Sequence, residues 1–169
     1  MKAQLPPLPH PFGTFTADNT NEGGTVATDR RADVTWNGSL LEGSGRIDST
    51  TGGVLGAQEL TWKARAEDAP SGTSPEDLIA AAHAGCFAMA LSHELAEAGT
   101  PAEELKTSAT VTFQPGEGIT KIALTVRGKV AGLDEPAFLR AAEAAKTNCP
   151  VSKALAVVPE ISLDARLEQ

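Results

Sequence analysis

The chain has 169 residues, with 14 Lys and Arg against 22 Asp and Glu and a formal charge of -8, which fits one domain of ordinary size and sets up a field that repels phosphate backbones and anionic membrane surfaces. Five Phe, two Trp and no Tyr leave no stacking platform for single-stranded nucleic acid. Two cysteines and three histidines are too few for a disulfide framework or a closed structural zinc site.

Residues 1 to about 30 are rich in Pro, Gly, Thr, Asn and Asp and have no apolar period, so they read as a flexible N-terminal arm ahead of a single domain, 31–169. No apolar run of signal-peptide length opens the chain, and no segment reads as the roughly 20 apolar residues of a membrane span. The expectation is a soluble, cytoplasmic protein with no nucleic-acid or membrane partner. In that reducing compartment a cysteine pair points to chemistry more than to a structural staple.

From Ala32 onward three short alternating runs, around Asp33–Trp36, Gly45–Asp48 and Glu59–Arg65, are separated by Asn37-Gly38 and Gly52-Gly53 turn signals, which suggests a small antiparallel meander. Ser74-Pro75-Glu76-Asp77 then supplies a helix start, and Gly99 with Pro101 a stop. Between them Leu78 to Leu91 is apolar almost all round, which predicts a helix buried on most faces. Its many Ala and Gly residues would let another helix approach closely. Two longer strands, Thr107–Gln114 and Ile119–Val130, flank a Pro115-Gly116-Glu117-Gly118 turn. A second helix over Asp134–Lys146, a break at Asn148-Cys149-Pro150, a short third helix to Leu155 and a last strand over Ile161–Leu167 complete the order. Helices grouped against antiparallel sheet predict an α+β fold.

Cys86 falls near the middle of the first long helix, where the macrodipole contributes little and burial would raise the thiol pKa. It is either packing or a reactive thiol that needs a cation from outside its helix; Arg65 leads the candidates and Arg46 follows. Cys149, just before Pro150, sits at a helix start that favours an anion, beside a break that would let it swing to close a disulfide; a small capping residue is the alternative. His83 and Cys86 lie three apart on one helical face, the edge of a two-ligand metal site, but no clustered partner lies nearby in sequence. His10 and His93 fall in no constellation. Asn148 and Ser152 read as cap or turn residues. No phosphate loop, Ser/His/Asp set or spaced acid pair is present.

The stretch Thr73 to Ser92, with Ile119–Leu124 and Asn148–Leu155, resembles the OsmC/Ohr family of thiol peroxidases, and the His83-containing helix is nearer the OsmC branch. The resemblance runs from about Trp36 to the C-terminus. It implies antiparallel sheets packed around a long central helix in an intertwined homodimer. It also implies a stress-response, antioxidant peroxidase in which Cys86 attacks an organic hydroperoxide, becomes a sulfenic acid and condenses with Cys149 to a disulfide. A dithiol such as dihydrolipoamide, or a lipoylated protein, would recycle it; no bound metal, haem or flavin is implied. The family's carboxylate falls on Glu76, and its arginine is best matched by Arg65. Glu76 and Cys86, ten residues apart, would stand about 15 Å apart along one helix, so a guanidinium serving both implies a site shared between two crossed copies. Phe87 and Met89 would suit an alkyl peroxide, or are ordinary core. The rival expectations are an apolar-ligand binding protein of the same fold without turnover, and a metal-binding thiol protein using His83, Cys86 and Cys149.

Overall fold

The computed structural model describes residues 27–67 and 72–168; the expected N-terminal arm, and His10 with it, lies almost wholly outside them. β1 (Ala32–Asn37), β2 (Ser44–Thr50) and β3 (Glu59–Thr61) form an antiparallel sheet in that order. The expected third strand is shortened. After Thr61 the chain turns into α1 (Trp62–Ala66), because the Thr61 side chain accepts from the Ala64 N–H at 3.0 Å and caps a helical turn. Arg65 therefore lies on a helix and not on a strand.

α2 (Pro75–Glu97) begins where the start signals place it: Ser74 accepts from the Asp77 N–H, and Asp77 accepts from the Ser74 N–H, with Pro75 in the first turn. Gly99, at φ 77°, takes the left-handed position beyond the C-cap. The expectation that this helix is buried on most faces is not met. Its buried residues are Glu76, His83, Phe87, Leu91 and Leu95, a single stripe; Ala81, Ala82, Gly85 and Met89 face outward. The helix is also long and apolar enough, by length and composition, to cross a membrane, which the sequence reading missed because Glu76, Asp77, His83 and Glu94 interrupt the apolar run. Here Phe87, Leu91 and Leu95 belong to the core instead.

β4 (Glu104–Gln114) and β5 (Gly118–Lys129) pair antiparallel through the expected turn, and β6 (Glu160–Leu167) pairs with β5. That last pairing is parallel, a departure from the all-antiparallel expectation. α3 (Glu135–Asn148) and α4 (Pro150–Ala154) carry the chain back along the sheet, so β6 starts at the same end as β5. The core gathers Phe87, Leu91, Leu95, Leu124, Val126, Phe138, Ala142, Ala145 and Cys149 from α2, β5, α3 and the α3–α4 corner. Each large apolar side chain buried there contributes about 1.5–3 kcal/mol. Phe138 lies so close to β5 that a Cβ at Gly128 would stand 2.5 Å from its ring, which makes glycine the residue that permits this helix–sheet contact.

Candidate active site

Two free cysteines meet where α2 passes the α3–α4 corner. Cys86 is half-buried and Cys149 fully buried; Cys86 packs against the core cluster that holds Cys149, and each thiol shifts the titration of the other. Cys149 is both the last cap of α3 and the first of α4: its N–H donates to the Ala145 carbonyl at 2.8 Å and its carbonyl accepts from Lys153 at 3.0 Å. The corner is tied to α2 by the Asn148 amide donating to Glu94 Oε1 at 2.9 Å. Thr107 Oγ1 of β4 donates to the Ala84 carbonyl at 3.2 Å, fastening the turn of α2 that carries Cys86.

The two thiols are not equivalent. Burial pushes Cys86 up, and the neighbouring Cys149 adds to the rise against a single opposing N–H from Val151. Burial also pushes Cys149 up, but the Ser152 N–H, the Cys86 thiol, the Ser152 hydroxyl and the Val151 N–H together hold it below the ordinary thiol value. Within one chain these surroundings favour the thiolate on Cys149 over Cys86, and a cation beside Cys86 would reverse that preference.

The chain's leading cation is engaged elsewhere. Arg65 forms a bidentate pair with Glu76, Nη2 to Oε1 at 2.9 Å and Nε to both oxygens at 3.1 and 3.2 Å. Glu76 is 7% exposed. The guanidinium carbon also lies 4.2 Å from the ring centroid of Phe113, which meets Trp62 edge to face; face stacking and a two-pronged carboxylate both fix a guanidinium in direction as well as in place. Phe113 was missed from sequence, although its inward parity on β4 was readable. Arg46, the second candidate, pairs with Asp48 on the exposed first sheet at 2.8 Å. The structure thus brings Cys86 to Cys149 and Arg65 to Glu76. It does not bring the two pairs together in one chain, since Glu76 is ten residues, about 15 Å, from Cys86 along α2.

His83 is fully buried and its Nε2 lies 2.8 Å from Ser152 Oγ. Among the described residues no three His, Cys, Asp or Glu side chains gather as a ligand set around it. His93 lines an open cleft with Met89, Ser92 and Ala96. Phe87 is core, in the same cluster as Cys149, and Met89 is exposed in that cleft. An apolar cavity of about 370 Å³ lies instead beside Arg65, lined by Trp36, Leu40, Leu60, Trp62 and Pro75.

The OsmC family model, described as OsmC-like protein, matches residues 66–164, a span that holds both cysteines and Glu76. Peroxiredoxin OsmC of Escherichia coli strain K12 is 41% identical over 142 residues, covering 82% of this chain and 96% of the relative. The chain belongs to the OsmC family. Its fold is the family's: the organic hydroperoxide resistance protein OhrB of Bacillus subtilis, 27% identical, matches with a TM-score of 0.54 over 82% of this chain and 98% of its own. An organic hydroperoxide resistance protein from Elizabethkingia anophelis, 22% identical, gives 0.63 over 85% and 100%.

Proposed function

We propose that this OsmC-family chain is a thiol peroxidase that reduces organic hydroperoxides to alcohols, in preference to hydrogen peroxide. The observation that carries the reading is the pair of neighbouring free thiols, one on a long helix and the other at a helix corner packed against it. The Cys86 thiolate attacks the hydroperoxide's terminal oxygen, the O–O bond breaks, and the alkoxide leaves as alcohol on taking a proton. Cys86 is left as a sulfenic acid, Cys149 displaces water from it, and the resulting disulfide is returned to two thiols by an external dithiol, a lipoyl group in solution or on a carrier protein.

The cation that Cys86 needs comes, in this reading, from a second copy of the chain. Arg65, aimed by Glu76 and Phe113, is held at the start of α2, ten residues before Cys86, while the outward face of α2 beside Cys86 is made of Ala81, Ala82, Gly85 and Met89. A Cβ at Gly85 would meet nothing within 4 Å. Two such faces crossing about a two-fold axis would lay the Arg65–Glu76 pair of one copy over the thiols of the other. The cavity beside Arg65 suits the alkyl part of the substrate.

The same cavity favours a second reading, binding of an apolar ligand without turnover. Hydroperoxide consumption separates the two. Cys86→Ser is expected to abolish it and Cys149→Ser to allow about one turnover per chain without added small thiols; steady turnover by the Cys86 variant would overturn the mechanism.

A further inference from the structure

Among the described residues the buried polar side chains are Ser74, Glu76, His83 and Ser152. Ser74 caps α2 and Glu76 holds Arg65. His83 and Ser152 hold each other across the α2–α4 contact, Nε2 to Oγ at 2.8 Å, and peroxide reduction as described uses neither. Ser152 stands three residues after Cys149, in the turn closed by Lys153 donating to the Cys149 carbonyl.

The direction of the His83–Ser152 bond follows from what lies on the other side of the ring. His83 Nδ1 is buried and has no hydrogen-bond partner among the described residues. Burial disfavours the imidazolium and keeps the ring neutral, so one nitrogen carries a proton and the other a lone pair. A buried N–H without an acceptor is rarer and costlier than an acceptor without a donor. The proton therefore belongs on Nε2, which donates to Ser152 Oγ. That leaves the hydroxyl's own proton for another acceptor, and the buried Cys149 stands one turn earlier, at the start of the same short helix, with the Ser152 hydroxyl among the groups that hold its thiol pKa down.

We propose that His83 is a positioning residue for the second cysteine: its Nε2–H fixes the Ser152 hydroxyl so that the hydroxyl donates to the Cys149 sulfur and holds it as the attacking thiolate. Building on the peroxidase reading, the step it serves is disulfide closure. The Cys149 electron pair forms the S–S bond, the Cys86 S–O bond breaks, and the departing hydroxide takes a proton from solvent to become water. The other groups that bear on that thiol are the Cys86 thiol on α2 and the N–H groups of Val151 and Ser152 on α4, and Lys146 of α3 and Lys153 of α4 line the cleft beside Ser152. Glu94, the nearby carboxylate on α2, is bound by the Asn148 amide.

The test titrates Cys149 by thiolate absorbance in full-length chain carrying Cys86→Ala, which isolates one thiol. Ser152→Ala and His83→Leu are each expected to raise its pKa by about one unit, a tenfold loss of thiolate near neutral pH. His83→Gln, whose amide N–H can replace Nε2–H, is expected to restore most of the loss. With Cys86 present, the sulfenic acid trapped after one addition of hydroperoxide should persist about tenfold longer in Ser152→Ala than in the parent. Should His83→Leu fail to fold, Ser152→Ala against Ser152→Thr asks the same question with a smaller change. An unshifted titration in Ser152→Ala, or a His83→Gln as impaired as a folded His83→Leu, overturns the proposal. Because the titration needs no peroxide, a flat result removes the His83 role while leaving peroxide reduction standing, and absent turnover with a shifted titration does the reverse.

Discussion

The sheet of β4, β5 and β6, with the helices on it, encloses Phe87, Leu91, Leu95, Leu124, Val126 and Phe138, whereas among the described residues around β1 to β3 Ile47 is the one large apolar side chain enclosed, and Val34, Trp36, Leu40, Leu41, Val54 and Leu55 stay exposed. The first region has the core of a self-sufficient fold. The second is a three-stranded sheet with an uncovered apolar face, an arrangement that is marginal without a cover. The thiols belong to the packed region. Arg65 stands where the uncovered region joins it. The contrast teaches that the site is divided along the same line as the packing: what would complete the chemistry, a cation near Cys86, and what would complete the burial, a cover for sheet and helix, can be the same second copy.

Removing a ring from the packed region should therefore cost far more than removing one from the uncovered region. Phe138→Ala is expected to destabilise the chain by about 3–5 kcal/mol in denaturant titration. Arg65→Lys keeps the charge but loses the two-pronged pair with Glu76 and the stacking on Phe113; hydroperoxide reduction should fall about tenfold to a hundredfold, equivalent to about 1.4–2.8 kcal/mol of barrier, with a smaller loss of melting temperature than in Phe138→Ala. Trp36→Ala should cost less than about 1 kcal/mol in the isolated chain and, on the proposal that a second copy covers this face, more as protein concentration rises.

The smallest effect is a pH slope. Burial lowers the His83 pKa below 6.5, so the unfolded chain binds that proton more readily than the native one. Stability is then full above about 6.5 and declines as pH falls below it, levelling off once the native pKa is passed. His83→Gln should flatten this part of the slope, measured as the denaturant midpoint against pH.

Much of this was legible from residues alone, for reasons that can be named. Ser74-Pro75-Glu76-Asp77 starts a helix by satisfying its first N–H groups locally, so its position needs no tertiary information. Cys149-Pro150 marks the corner for the same kind of reason. Arg65 was misplaced on a strand because Thr61 and Trp62 favour strands, and the Thr61 hydroxyl instead capped a helical turn. The burial of α2 was overestimated because an apolar helix looks the same from sequence whether its own chain or another covers it. Ser152 carried no signal beyond a turn residue, since its partner, His83, is 69 positions away and joined to it only by the packing of α4 on α2.

The most direct test of the divided site is complementation. Cys86→Ser and Arg65→Met chains, each inactive alone, are mixed in equal amounts, unfolded and refolded together, and assayed for organic hydroperoxide reduction. If the thiols of one copy use the Arg65 of the other, half of the dimers are mixed and each holds one intact site, so activity should return to about one quarter of the parent's. Mixed dimers that form, as shown by a tag on one chain, yet remain inactive would contradict the account.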